Sequence, residues 1–200
     1  LLRHSTNNLA ALIGSRICHD LISPIGAITN GLELMQMSGA ALTPEVALIS
    51  DSVENANARI RFFRVAYGMA TENQSMGRAE IVSILRAVAQ GARVSFHWGP
   101  LEDLPRTEVR LAFLALQCFE TAMPYGGRIT LTREGRLWAI SGTADKLRQT
   151  PDLWANLDCG DSQIEVSPAE VQFALLPVLL KEAGRRVSLR LTESDILMRF

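Results

Sequence analysis

Two apolar stripes near the start of the chain constrain its fold more than any other feature. Ile13, Ile17, Leu21, Ile28, Leu32 and Met35 follow one another at spacings of 4, 4, 7, 4 and 3, the period of one face of an α-helix. Ser38-Gly39 ends that helix, and Thr43-Pro44-Glu45 restarts one as N-cap, first-turn proline and first-turn acid. The second helix carries Val46, Ile49, Val53, Ala56, Ile60, Phe63 and Tyr67, alternating 3 and 4 without a break, which is a heptad seam. A hairpin of two helices cannot bury two such stripes alone. A second copy of the same hairpin, closing a dimeric four-helix bundle, is the simplest completion.

A polar run, Thr71-Glu72-Asn73-Gln74-Ser75-Met76-Gly77, precedes a region of different periodicity. Ala79 to Ala92 and Thr107 to Met123 read as helices, and Val94 to Trp98 alternates as a strand. Arg128 to Arg133 and Arg136 to Ser141 form a hairpin across Glu134-Gly135. A helix is expected around Trp154, and another from Pro168 to Ala183, closed by Gly184. Arg185 to Leu191 then pairs with Ile196 to Phe200. The order α-β-α-β-β-α-α-β-β predicts an α+β fold with helices on one face of a mixed sheet. The expected organisation is a helical hairpin over residues 1–74 and an α/β sandwich over 75–200.

Charge excludes several partners. Twenty Lys+Arg stand against twenty-one Asp+Glu, and only Lys146 and Lys181 are lysines. With a net charge of −1 and no basic run, the chain lacks an electrostatic footprint for direct contact with nucleic acid. The longest apolar stretch, Phe173 to Leu180, contains Pro177 and falls well short of the ~20 residues of a membrane span. From Leu1 onward no basic start suggests a signal peptide. Cys18, Cys118 and Cys159 are odd in number and form no CxxC pair, which argues against zinc or a disulfide framework. The expectation is a cytoplasmic protein with no resident metal.

Histidine chemistry is confined to His4, His19 and His97. His4 sits in a frayed start, and His97 lies between Phe96 and Trp98 on an expected strand, where it packs or borders the sheet. On a wheel of 100° per residue, His19 points away from Ile17, Leu21, Ile28 and Met35. Its neighbours are Ser15, Arg16, Ile22, Ser23 and Gly26, mostly polar or small. A lone histidine in such surroundings is ordinarily a solvated surface residue. Three features favour function. Asp20 follows it and can orient or polarise the ring. Pro24, within the helix, removes a backbone bond at a cost of about 3 kcal/mol. Gly26, Ala27 and Gly31 leave room for another backbone. An unperturbed imidazole is roughly three-quarters neutral at pH 7 and available as a nucleophile. Cys18 cannot form a dyad with His19, because adjacent helical side chains diverge by about 100°. Arg59, Arg61 and Arg64 on the second helix attract phosphate or an acidic partner, or else form a solvated face and intrabundle pairs.

The run Cys18-His19-Asp20-Leu21-Ile22-Ser23-Pro24 resembles the H-box of two-component histidine kinases, with an acid next to the phospho-accepting histidine and a proline five residues on. The longer run from Ser15 to Leu34, together with Ala58 to Gly68, closely resembles alphaproteobacterial histidine phosphotransferases of the ChpT type. The resemblance implies a dimeric bundle followed by a Bergerat-type ATPase-like domain whose nucleotide motifs are degenerate. Where a kinase has two Asn four residues apart, this chain has Gln117 and Thr121. Pro124 stands near an expected Lys, and Ser141-Gly142-Thr143-Ala144-Asp145 replaces Asp-x-Gly-x-Gly. Val171 to Leu175 contains no glycine for close approach to phosphate. Three losses argue against ATP binding.

The resemblance further implies that His19 accepts a phosphoryl group from a receiver aspartate and passes it to that of a response regulator. Asp20 would assist, and Arg16, Ile22, Ser23, Ile25 and Gly26 would form the receiver-docking surface. No cofactor would be held tightly, Mg²⁺ being supplied by the receiver. The implied partners are a second copy, the receiver of a CckA-like hybrid histidine kinase, and CtrA-like and CpdR-like regulators. Two competing readings are a divergent ATP-dependent sensor kinase core and an inert dimeric adaptor that binds receivers.

Overall fold

The computed structural model describes residues 17, 20–21, 23–35, 37, 44–68, 70–71, 73–148, 150–159 and 165–200. Residues 20–21 and 23–35 are helical and make up α1. Helix α2 spans Pro44–Ala66, with Glu45 in its first turn and Arg64 in its last, charges that complement the helix dipole. The two helices approach closely at Gly31, where a Cβ would lie 2.6 Å from Cγ1 of Ile49 and 3.2 Å from the Glu45 carbonyl oxygen. Ile13, Ser38-Gly39 and Thr43 fall outside the described residues. Within one chain the two stripes are only partly covered. Ile28 and Met35 are half-buried, while Leu32, Val53 and Ile60 remain 49%, 40% and 41% exposed.

The remaining elements are β1 (Ser75–Met76), α3 (Arg78–Ala89), β2 (Val94–Trp98), β3 (Leu104–Pro105), α4 (Arg106–Ala122), β4 (Gly127–Glu134), β5 (Leu137–Thr143), α5 (Pro151–Cys159), α6 (Val171–Glu182), β6 (Ser188–Leu191) and β7 (Asp195–Arg199). Five strands form a mixed sheet in the order β2-β4-β5-β7-β6. The β2–β4 pair is parallel, and the others are antiparallel. Alternation gives the sheet two unlike faces. Ile129, Leu131, Trp138, Ile140, Ile196 and Met198 point into the core, while Ser95, His97, Arg128, Thr132 and Ser141 are exposed. His97 thus stands on the solvent face of an edge strand. The fold is α+β, with a helical N-terminal part and a sheet layered by helices on one side.

Three departures from the sequence reading have local causes. β1 and β3 form a separate antiparallel pair, and at two residues each they are too short to display alternation. The helix expected from Pro168 begins instead as a 3-10 turn over Pro168–Glu170 before α6 starts at Val171. There the Ser167 hydroxyl and backbone N–H both donate to Oε2 of Glu170, at 2.7 and 3.3 Å, a capping box that closes a tight first turn. The strand expected from Arg185 begins at Ser188. Gly184 adopts φ +66° and the Arg185 N–H donates to the Leu180 carbonyl at 2.8 Å, so these residues are still closing α6.

Helix α4 lies at the centre of the core. Val109, Leu111 to Phe119 and Ala122 are all buried, because the helix packs on the sheet, on α2 and on α6. Phe113 stacks on Phe62 of α2 with ring centroids 4.6 Å apart and meets Trp98 of β2 edge-on at 6.4 Å. β5 lies so close to α4 that a Cβ on Gly142 would clash with Cε of Met123 and approach Cδ1 of Phe119 to 2.7 Å. Burial pushes the Cys118 thiol, on this helix, well up from its ordinary range.

Replacing Phe113 with Ala should cost about 3–5 kcal/mol of stability, read as a lowered urea midpoint with an unchanged slope. In a Cys18→Ser/Cys159→Ser background, Cys118 should resist thiol reagents at pH 8 until the chain is unfolded. The native thiol keeps its proton where the unfolded one has lost it. Its contribution to stability should therefore fall as pH rises above about 8.5, and rapid native labelling would contradict this burial.

Candidate functional site

The site expected from the sequence lies at the start of α1. Arg16, His19 and Ile22, together with Cys18, fall outside the described residues; Asp20, Ser23, Ile25 and Gly26 are described. Ser23 and Gly26, three residues apart and so on one face of the helix, are exposed, and Ile25 beside them is 54% exposed. Nothing lies within 4 Å of the place a Gly26 Cβ would take. This stretch offers a partner a low surface with an apolar side chain on it. Pro24, by contrast, is buried.

Asp20 faces the neighbouring helix. Its side chain is only 8% exposed, and Oδ2 lies 3.8 Å from Nη1 of Arg59 on α2. Arg59 is itself held by Asn55, whose Oδ1 accepts from Nε at 3.2 Å one turn earlier. Of the three arginines singled out on α2, Arg59 forms an intrabundle pair, while Arg61 and Arg64 have exposed side chains. The sequence held a signal for this pair in Asn55 and Arg59, spaced i and i+4 on one face. It held none for which acid across the hairpin they would meet.

The other end of α2 is anchored in the α/β layer. Arg106 and Arg110, one turn apart on α4, donate to the carbonyls of Arg64 and Ala66 at 2.6 and 3.2 Å. These are carbonyls that a helix C-terminus leaves without intrahelical partners. Tyr67 donates from its hydroxyl to Oε1 of the buried Gln117, and Ile17 of the N-terminal helical region packs against the same core. Ile17, the end of α2 and α4 thus converge. Sequence reasoning missed Arg106 and Arg110, although their spacing places them on one face of α4.

Gln117 and Thr121, the pair that the sequence resemblance sets against a kinase's two Asn, take part in internal hydrogen bonds. The Thr121 hydroxyl donates to the Gln117 carbonyl at 2.9 Å and accepts from Nε2 of Gln172 at 2.9 Å. Nε2 of Gln172 also donates to the Ala169 carbonyl at 3.1 Å, and Gln172 has no exposed surface. Three aromatic rings adjoin this thread. Trp154 of α5 meets Phe119 of α4 at 5.8 Å and Phe173 of α6 at 5.3 Å, both edge-to-face, while Nδ2 of Asn156 donates to the Phe173 carbonyl at 3.0 Å. Two open grooves, of 620 and 770 Å³, lie on the α/β layer. The first is lined by Arg93, Tyr125, Arg128 and Lys146 among others and borders Thr143, Ala144 and Asp145, the second by Trp154, Leu189 and Leu191 among others, and neither by Gln117, Thr121 or Gln172. No helix among the described residues is long and apolar enough to cross a membrane. Among the described residues no group of three or more His, Cys, Asp or Glu could hold a metal ion.

Comparison with known proteins agrees with this architecture. The pattern of the histidine phosphotransferase C-terminal domain matches residues 78–195. Protein phosphotransferase ChpT of Brucella abortus (strain 2308) is 33% identical over 202 residues, covering 96% of this chain and 95% of that protein. A solved bacterial phosphotransferase superposes with a TM-score of 0.81 at 32% identity, covering 96% of this chain and 95% of the other. The solved histidine kinase ThkA in complex with response regulator protein TrrA gives a TM-score of 0.50 at 11% identity, covering 99% of this chain and 63% of that one, a likeness of fold alone. With a domain match over more than half its length and a phosphotransferase relative aligned along nearly all of it, the chain belongs to the histidine phosphotransferase family, whose chemistry is phosphoryl transfer.

Proposed function

We propose that this protein is the histidine-bearing intermediate of a phosphorelay, taking a phosphoryl group from a receiver aspartate onto His19 and delivering it to the aspartate of a response regulator. The observation that carries this reading is the packed interior between α4, α5 and α6. Gln117, Thr121 and Gln172, which fall in stretches that the sequence resemblance sets against kinase nucleotide motifs, are joined in one hydrogen-bonded thread beside the rings of Phe119, Trp154 and Phe173. Opening that space would leave buried polar groups unpaired and strip aromatic contacts, each a cost of a few kcal/mol. The phosphoryl group then comes from a protein, not from ATP.

In the proposed transfer, a nitrogen of the His19 imidazole attacks phosphorus in line, the N–P bond forms, and the bond from phosphorus to the aspartyl oxygen breaks. The receiver carboxylate leaves with the electron pair. The second transfer reverses these changes onto another receiver. Asp20 helps offset the positive charge that develops on the ring during attack, since phosphoryl transfer is largely positioning and electrostatics. Mg²⁺ arrives with the receiver, whose own groups hold it. Arg16, Ile22, Ser23, Ile25 and Gly26 form the docking surface, with the exposure of Ser23, Ile25 and Gly26 supporting that assignment. We assign the donor to a CckA-like hybrid kinase and the acceptors to CtrA-like and CpdR-like regulators, in the cytoplasm. Contact with DNA is left to those regulators.

The exposed Leu32, Val53 and Ile60 support a second copy as the cover for the hairpin, giving a homodimeric four-helix bundle. The chain then acts as two units, 1–74 for phosphoryl acceptance and dimerisation and 75–200 as a degenerate Bergerat-type scaffold.

Mixing the protein with a receiver carrying labelled aspartyl phosphate should transfer label to the wild type and none to His19→Ala. Incubation with labelled ATP should leave the protein unlabelled; ATP-dependent labelling of His19 would establish the kinase reading instead. Binding of receivers with no transfer would leave the adaptor. Sedimentation should give twice the 22.0 kDa chain mass, and Ile60→Glu should shift the species toward monomer. A wild-type monomer at micromolar concentration would refute the bundle.

A further inference from the structure

We infer that Arg59 is a positioning residue for phosphoryl transfer, acting through Asp20. The inference rests on the reading of His19 as the phospho-acceptor and goes beyond it in naming a group on the opposite helix. Its starting point is the burial of Asp20. A carboxylate with 8% of its side chain exposed pays a desolvation penalty that must be met by a counter-charge or by hydrogen bonds. Arg59 is a counter-charge in place, with Nη1 at 3.8 Å from Oδ2.

Arg59 is also held still. A long arginine side chain loses much rotamer freedom when it is fixed, and here Asn55 does part of the fixing through the 3.2 Å bond from Nε to Oδ1. The chain of contacts therefore runs Asn55, Arg59, Asp20, and ends on the residue that follows His19 in the sequence. An acid with a guanidinium 3.8 Å from one oxygen is drawn electrostatically toward that side. An acid left to rotate would populate several orientations.

The pair also settles a charge problem. An aspartyl phosphate arriving at residue 19 brings negative charge beside a carboxylate at residue 20. Two like charges a few ångströms apart in a partly dry interface repel by several kcal/mol at an effective dielectric near 20. With Arg59 in contact, the Asp20–Arg59 unit is neutral as seen from the approaching phosphoryl group. The carboxylate can stabilise a cationic ring without opposing the donor. This division of labour explains why α2 supplies an arginine at 59, one turn after an asparagine that keeps its guanidinium in place.

The test is a double-mutant cycle on single-turnover transfer from a labelled phospho-receiver, with receiver affinity and thermal midpoint measured in parallel. Arg59→Met should slow transfer about tenfold, within the coupling expected of a contacting charged pair, while receiver affinity changes less than twofold. Asp20→Asn should slow it by at least as much. In the Asp20→Asn background, Arg59→Met should have no further effect on rate. A purely structural arginine would give additive losses, and additivity overturns the inference; so does a wild-type rate for either single variant. If Arg59→Met lowers the thermal midpoint enough to blur the comparison, Arg59→Lys, which keeps the charge, takes its place and should likewise be silent beside Asp20→Asn. His19→Ala separates the two levels. Label retained on that variant overturns the phospho-acceptor reading and this inference with it, whereas label lost there with an additive cycle overturns the role of Arg59 alone.

Discussion

The attachment of α2 to the α/β layer organises the rest of the molecule. Two arginines one turn apart on α4 satisfy the carbonyls of Arg64 and Ala66, and the Phe62–Phe113 stack ties the same helix end into the main core. Hydrogen bonds from a charged donor to helix-terminal carbonyls are strong and directional, and the stacked rings exclude water around them. A connection made only of loop residues would let the two parts hinge. Here the last turns of α2 are themselves core residues, so the hairpin and the sheet share one interior. The place at which α1 carries Asp20 is consequently fixed relative to the sheet as well as to α2.

Helix α4 performs two tasks that compete for its faces. One face receives α2 through Phe113, Gln117 and the two arginines; another meets β5, α5 and α6 through Phe119 and Thr121. Trp154 and Phe173 close over this second face. That face contributes packing and hydrogen bonds to the fold.

The parts of this structure legible in the sequence are those with a repeated pattern. Alternation over five or more residues located β2, β4 and β5 to within a residue or two at each end, and the 3-4 spacing located α2. The Ser75–Met76 ladder escaped because two residues carry no period. α6 starts later than Pro168 because a capping box winds its first turn as a 3-10 turn, and β6 starts later than Arg185 because the left-handed closure at Gly184 extends past the helix end. The resemblance carried by residues 15–34 rests on a contiguous motif, and His19 within it lies outside the described residues. The partner of Asp20 was out of reach. Arg59 lies thirty-nine positions away in the chain, and only the register of α1 against α2 brings the two charges together. Arg106 and Arg110 escaped for the same reason, their acceptors being backbone atoms that no sequence pattern marks.

The contact at Gly142 bears on the history open to this fold. A Cβ there would sit inside Phe119 and Met123, so the strand and the helix have settled against each other with no slack between them. Changing this contact by single substitutions would pass through chains in which one large side chain had been removed and nothing had yet replaced it. Each such step would forfeit stability before a second substitution could return it. Packing of this kind works as a ratchet: the surface can vary while the interior holds strand and helix to one arrangement.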